Sequence, residues 1–324
     1  MTPPTAGTLR LRDHHPAHEP FVANVLASLG ETPKRISPMY FYDARGSALF
    51  DHICELPEYY PTRTELNILQ THGDDIARCI GEETLLVEFG SGSSMKTRVL
   101  LDRLPALSAY VPVDISRSHL LAAAQGISAS YPHMEVLPVC ADFTRPFALP
   151  APRRPARRTV VFFPGSTIGN FDPAAAIDLM RVMRRVAGDN GGLIVGTDLV
   201  KDTDVLIRAY DDAAGVTAAF NLNVLRRLNV ELGANFDLAA FQHRAVWNAQ
   251  ANRIEMHLVS LRKQTVSLGG ETFRFAAGEP IVTEHCHKYT PTRFAMQAAE
   301  AGWMRRAHWM DERAWFSVNY LEAE

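Results

Sequence analysis

Cysteine is scarce in this chain: Cys54, Cys79, Cys140 and Cys286 stand far apart. They show neither the paired spacing of a zinc site nor a disulfide framework. A reducing, cytoplasmic setting fits that pattern. No apolar run is long enough to cross a bilayer. The first residues, MTPPTAGTLRLRDHHPAHEP, lack the hydrophobic stretch of a secretory signal. Residues 1–20 read instead as a flexible tail. Its His14, His15 and His18 are metal-capable, but a polar, proline-containing tail is more often simply mobile. Net charge is only −3 over 324 residues, which argues against a broad nucleic-acid footprint. Internal repeats and low-complexity tracts are also missing. What remains is 47% hydrophobic, enough for a full core, in a length that suits one large domain or two ordinary ones.

What is present is organised around LLVEFGSGSS, residues 85–94. An apolar run ends in Glu88, then Gly90 and Gly92, and a helical pattern begins at Met95. This spells a buried strand, a glycine turn and a helix start. Glycines at such a turn let a ligand approach the backbone. A nicotinamide site calls for a third glycine, so that the helix packs tightly and faces a pyrophosphate. Position 95 is Met. An acid two residues before the first glycine favours a cationic ligand without phosphate, such as S-adenosylmethionine. By itself the ExGxG pattern also suits an ordinary strand-to-helix turn.

From residue 62 to about 200 strands and helices alternate. Strands are predicted over 85–89, 109–113, 134–139, 159–163 and 192–196, with helices over 62–80, 97–104, 118–128 and 173–187. Short loops between them mean a parallel, doubly wound α/β sheet with right-handed crossovers. Before this repeat, residues 21–29 have helical spacing. Tyr40, Tyr42, Tyr59 and Tyr60 then surround one helix, as a core edge or a pocket wall. After it come a long helical region, 202–230, and short strands over 253–261, 264–266, 272–275 and 281–289. These imply a second, smaller α+β unit. A helix over 293–300 and strands at 307–310 and 316–320 close the chain.

In open parallel sheets ligands sit beyond the carboxyl ends of the strands. Those ends carry Gly90–Gly92, Asp114, Asp142-Phe143, Gly165–Asn170 and Asp198. Asp114 is placed to accept ribose hydroxyls, since charge-assisted hydrogen bonds are the stronger ones. Asp142 suits an exocyclic amine and Phe143 the face of a base. Each acid alone would also serve as a helix N-cap. Jointly they point to an adenosyl group.

Longer motifs add to this: YDARGSALFDHICELPEYYPTRTE, GSTIGNF, GTDLVKDTDVLIRAYDDAAGVTAAFNLNVL, RIEMHL, and TE-x-x-x-KY from Thr283. With them the chain, from about residue 21 to its end, resembles the histidine-specific Nα-methyltransferases of ergothioneine biosynthesis. The resemblance implies a Rossmann-like class I methyltransferase sheet, residues 62–200 plus 289–324. It implies a smaller α+β substrate-binding domain, residues 21–61 plus 201–288. The implied reaction moves three methyl groups from S-adenosylmethionine to the α-amine of L-histidine, giving hercynine. Cofactor contacts then fall on Gly90, Lys96, Asp114, Asp142 and Phe143. Substrate contacts fall on Tyr59, Asn170, Tyr210 and Glu284, with Tyr42 and Met256 near the pocket. Catalytic roles fall on Tyr42 and Asn170. A cytoplasmic monomer is expected, acting on a small molecule, with no metal, nucleic-acid or membrane partner.

The family commonly has a serine two residues after the glutamate; here it is Cys286. On a strand, Glu284 and Cys286 share one face, and His285 and His287 the other. The thiol is therefore expected beside the imidazole, and a zinc site of Cys286 with the histidines is disfavoured. A thiol is a weaker hydrogen-bonding group than a hydroxyl. That leaves open a related methyltransferase acting on another aromatic amino acid. A binding module that has lost catalysis is the remaining alternative.

Overall fold

The computed structural model describes residues 9–14, 21–92 and 94–324. Residues 1–8 and 15–20 of the expected tail, with His15 and His18, lie outside the described residues. In chain order the first elements are β1 (Arg12–Asp13), α1 (Phe21–Leu29), β2 (Lys34–Arg35), α2 (Ala44–Glu55), α3 (Tyr60–Thr71) and α4 (Gly73–Ile80). The alternating repeat holds β3 (Thr84–Phe89), α5 (Met95–Leu101), β4 (Ala109–Asp114), α6 (Arg117–Ser130) and β5 (Val139–Cys140). It continues through β6 (Arg158–Phe163), α7 (Pro173–Ala187) and β7 (Gly192–Asp198). Then follow α8 (Thr203–Tyr210), α9 (Val216–Leu232), β8 (Phe241–Asn248), β9 (Arg253–Ser260), β10 (Gln264–Leu268), β11 (Glu271–Phe275) and β12 (Pro280–His287). The chain closes with α10 (Pro291–Glu300), β13 (Trp303–Met310) and β14 (Phe316–Ala323).

The main sheet has the order β1-β5-β4-β3-β6-β7-β14-β13. Strands β3 to β7 are parallel, β14 runs antiparallel to β7, and β13 antiparallel to β14. The alternating repeat begins at β3, steps one way to β4 and β5, then crosses back to β6 and β7. The crevice at that reversal is where an open α/β sheet binds its ligand. The expected α/β class, with a Rossmann-like parallel sheet, is what the topology shows. Alternation fills both faces. Val87, Phe89, Val111, Phe163 and Trp303 join one apolar cluster, while Leu86, Tyr110, Phe162, Ile194 and Phe316 join the other. A third cluster joins Val25, Phe41 and Ile53 to Leu206, Val224, Leu258 and Cys286. It backs the second sheet, β2-β12-β9-β8, so the segment before the repeat and the one after β7 share a core.

Four boundaries differ from expectation. The tail is not loose at Arg12–Asp13, which pairs with Val139–Cys140 as an edge strand. The third strand of the repeat covers only Val139–Cys140, with an isolated bridge from Val136 to Tyr110. Pro138 has no N–H to give, and its carbonyl accepts from Arg12 instead. The helix expected over 62–80 breaks at His72 (φ −108°, ψ 13°) into α3 and α4. The region 202–230 breaks at Asp211–Gly215, because Asp212 accepts the Val216 and Thr217 N–H groups (2.9 and 2.7 Å) and starts α9 anew.

Candidate active site

The glycine turn is built as the sequence requires. Gly90 and Gly92 have φ of +75° and +43°, and Ser94 is left-handed at +58°. Such values come readily to glycine, and they open the loop above β3 as a cradle. Phe143 closes one side: a Cβ on Gly90 would sit 3.9 Å from its ring. That ring stacks on Phe89 with centroids 5.4 Å apart. At the end of β4, Asp114 Oδ1 accepts the Ser116 N–H at 2.8 Å, and burial pushes its carboxyl above the usual range. Asp142 is more committed: its Oδ1 accepts from Thr144 N (2.9 Å) and Thr144 Oγ1 (2.6 Å). Gly90, Asp114 and Asp142-Phe143 therefore stand at the ends of three adjacent strands, as the sequence places them.

Two residues of this region behave otherwise. Glu88 does not face a ligand. Strand alternation turns it to the Leu86 face, where Thr97 Oγ1 (2.8 Å) and Tyr110 Oη donate to it. Burial there lifts its carboxyl to about 8. The acid before the first glycine is thus an internal anchor for α5 rather than a cation ligand. Lys96 pairs with wholly buried Glu65 (2.6 Å), which also accepts the Gly165 N–H at 2.8 Å. Glu65, Lys96 and Gly165 tie α3, α5 and the loop after β6 into one wall. Nothing in the pattern around Glu65 signals this, because a lone acid in a helix reads as a solvated face.

The loop after β6, GSTIGN, also adopts left-handed backbone, with φ of +83° at Gly165 and +58° at Ser166. Ser166 Oγ accepts the Asp198 N–H at 2.8 Å, and a 3-10 turn over Thr167–Asn170 brings Asn170 inward. There it meets the second sheet. A cavity of about 70 Å³ is lined by Tyr42, Tyr59, Asn170, Tyr210, Met256, Glu284 and Cys286. All seven residues expected at the amino-acid site share it. Phe50, Ile53, Gly165, Thr167, Ala209, Thr217 and Phe220 complete the wall. Of the four tyrosines, Tyr40 and Tyr60 are core, whereas Tyr42 and Tyr59 face the cavity. Tyr42 is 39% exposed, so it stands at the mouth, edge-on to Phe50 and Phe220.

The floor of the cavity is polar. Glu284 faces Met256 across β12 and β9, and burial raises its carboxyl to about 7, with Lys288 opposing the shift. Tyr210 Oη and Cys286 Sγ lie 2.9 Å apart. Lys288 Nζ donates to both (2.9 and 3.1 Å) and to Asp198 (2.7 Å). His285 and His287 point the opposite way, as alternation demands. They meet Asp172 Oδ1, each at 3.2 Å, where Arg253 also donates at 3.1 Å. Their ligand-type atoms lie within 4.8 Å of one another. Cys286 is not among them. Lys288 and Asp198, which the sequence reading did not assign to the site, prove to be its buried support. The TE-x-x-x-KY motif contained that lysine; what it lacked was any sign of the partner at 198.

Comparison with known proteins comes to the same place. Residues 21–323 match the family described as histidine-specific methyltransferase, SAM-dependent. A histidine N-alpha-methyltransferase of Mycolicibacterium smegmatis is 46% identical over 304 residues, 92% of this chain and 93% of that one. One of Mycobacterium tuberculosis is 44% identical, over 91% of this chain and 92% of that one. The ergothioneine biosynthesis protein 1 of Schizosaccharomyces pombe is 28% identical, over 76% of this chain and 33% of that longer protein. A cradle at the β3 end, a second-sheet cavity beside it and a match across nearly the whole length lead to one conclusion: the chain belongs to the family of S-adenosylmethionine-dependent, histidine-specific methyltransferases and is an enzyme of that type.

Proposed function

We propose that this enzyme methylates the α-amine of L-histidine three times, giving hercynine for ergothioneine biosynthesis. The observation that carries the reading is the cavity itself. It unites a buried carboxylate, a tyrosine–cysteine pair and two further tyrosines beside Gly165 and Asn170. The repeat, with its C-terminal strands (62–200 plus 289–324), would hold the methyl donor. The rest (21–61 plus 201–288) would hold the amino acid. No described helix is long and apolar enough to cross a membrane. A cytoplasmic monomer without nucleic-acid or membrane partners is part of the same proposal.

The cradle residues fit S-adenosylmethionine: an open glycine turn, a half-committed carboxylate at Asp114 and an aromatic wall at Phe143. When bound, that group supplies an electrophilic methyl on a sulfonium. The chain's own work is placement. Asn170 holds the carboxylate and turns the amine toward the cradle, while Tyr210 joins Cys286 in the cavity floor. Tyr59 and Glu284 hold the imidazole. Tyr42, at the mouth, offers its ring and oxygen to the growing ammonium. Its phenol, raised further by desolvation and by nearby Glu284, stays neutral there. Holding nitrogen and methyl in line supplies most of the acceleration in such a displacement. No metal role is needed at Asp172: Arg253 and Arg35 reach its cluster (3.1 Å to Asp172, 3.1 Å to His285) and supply the positive charge there.

Mass spectrometry of L-histidine incubated with enzyme and S-adenosylmethionine tests the reading. Mono- and dimethyl intermediates are expected when histidine is in excess, and a trimethyl product at the end. Methyl on a ring nitrogen with the α-amine unmodified would refute it. Cys286 gives no ground for preferring another aromatic amino acid. Its sulfur sits in hydrogen-bonding contact with Tyr210 and Lys288, the place a hydroxyl would take. For the cofactor, Asp114→Ala is expected to weaken binding by about 1.5–3 kcal/mol, one charged hydrogen bond's worth, since half the carboxylate serves its own turn. Unchanged affinity by calorimetry in a folded variant would remove Asp114 from the site.

A further inference from the structure

We infer that Lys288 is a positioning residue of the amino-acid site, whose buried ammonium occupies the acceptor side of Tyr210 and Cys286 and so leaves a donor facing the substrate. The side chain is wholly buried just past β12, where an unpaired ammonium would be prohibitive. An ammonium has three N–H donors and no acceptor. Here all three are spent, on Asp198 Oδ2 (2.7 Å), Tyr210 Oη (2.9 Å) and Cys286 Sγ (3.1 Å).

That leaves two protons, those of the tyrosine hydroxyl and the thiol. The 2.9 Å contact between Oη and Sγ takes one of them, whichever atom donates. The other finds no acceptor among the described residues and faces the cavity that both side chains line. The floor therefore always presents one donor to the bound amino acid. Glu284, on the same strand face as Cys286, presents an acceptor. A neutral imidazole carries one N–H and one bare nitrogen, so it satisfies both. A phenyl ring satisfies neither. This rests on the histidine reading above and names what enforces it. Without Lys288 the lone pairs it occupies on Oη and Sγ are free to accept, so the floor could offer the substrate an acceptor instead of a donor.

The same cation acts on Glu284. The titratable groups whose fields involve Glu284 are Tyr42, Tyr59, Tyr210 and Cys286, all held above their usual ranges and so neutral. Lys288 is the charge that pulls its carboxyl back down. Lys288 stays charged because Asp198 holds it well above the usual lysine range, against the opposing effect of burial.

Lys288→Met tests this in the full-length enzyme, because Asp198 keeps Lys201 (2.5 Å) and Tyr60 as partners. The expected result is a histidine KM raised at least tenfold with S-adenosylmethionine affinity within about twofold. The limb of the kcat/KM profile that reports Glu284 should move to higher pH. In a Tyr210→Phe background the same change should cost clearly less, since the group it orients is gone. A merely structural lysine gives additive losses and an unmoved limb, and that result overturns the inference. If Lys288→Met does not fold, Lys288→Gln, which keeps two donors, is read by the same cycle and the same limb. Histidine binding is followed by calorimetry alongside turnover. If wild type methylates histidine and the folded variant matches it, only the positioning role falls. If wild type neither binds nor methylates histidine, the functional reading falls with it.

Discussion

Asp198→Ala is expected to destabilise the fold by about 3–5 kcal/mol, the usual cost of removing one partner from a buried ion pair. Asp198 ends β7 with 1% of its surface exposed. Its carboxylate accepts from Tyr60 Oη (2.7 Å), Lys201 Nζ (2.5 Å) and Lys288 Nζ (2.7 Å). Alanine leaves two buried ammoniums without their counter-charge. Lys201 can shed its proton, since burial already brings it down to about 8. Lys288 owes its raised value to Asp198, so in the variant burial pushes it down as well, and the wholly buried ammonium must either shed its proton or stay charged without a counter-ion. Despite its burial, the two lysines hold the Asp198 carboxyl below its usual range. A depressed carboxylate adds stability above its unfolded value of about 3.9 and loses it as pH falls through the lower folded value. Wild type should thus lose this contribution only below about pH 4, and the variant should lack it throughout. Urea unfolding at pH 7 decides: a loss under about 1 kcal/mol would mean that the pair is solvated in solution.

This pair also shows where the sequence stops being readable. Asp198 was visible as an acid at a strand end, and Lys288 as part of a motif. Nothing local links them, because their contact arises from the way β12 of the second sheet passes the end of β7. The glycine turn was legible for the opposite reason: strand, turn and helix are neighbours in the chain, and the backbone needs of the turn fall on its own residues. Glu88 sits between the cases. Its position two residues before Gly90 was plain, but its direction depends on alternation within β3, which turns it under α5. Likewise β5 was predicted too long because an apolar run does not reveal where Pro138 interrupts the ladder. The seven residues proposed for the amino-acid site came from long motifs rather than periodicity. Their meeting in one cavity depends on a second core that the pattern implied only as a separate unit.

Replacing Glu284 should have the largest effect on substrate use. Glu284 lies on β12 between Thr283, whose hydroxyl bonds Asn221 and the Met256 carbonyl, and His285, which faces Asp172. Its backbone is therefore held from both sides, and the carboxylate projects into the cavity with Met256 beside it. Among the described residues no donor reaches its oxygens, in contrast to Asp114, so its partner is expected to be the ligand. An imidazole N–H left facing an alanine loses a buried, charge-assisted bond. Such truncations cost about 2–5 kcal/mol, which is roughly 30-fold to a few thousand-fold in kcat/KM for histidine. Glu284→Gln keeps the volume and isolates the charge. With its carboxyl raised to about 7, Glu284 in wild type is protonated in mild acid and ionised above neutrality. The ionised form is the stronger acceptor, so kcat/KM for histidine should rise through an apparent pKa about 7. In Glu284→Gln that limb should vanish. Stability moves the other way: the native state binds the extra proton between about 4.3 and 7, so wild type without substrate loses stability as pH rises across that window and the glutamine variant does not. Cofactor affinity should stay constant in both variants. A glutamine variant with wild-type kcat/KM and the same limb would move the imidazole away from Glu284, and with it the basis for choosing histidine.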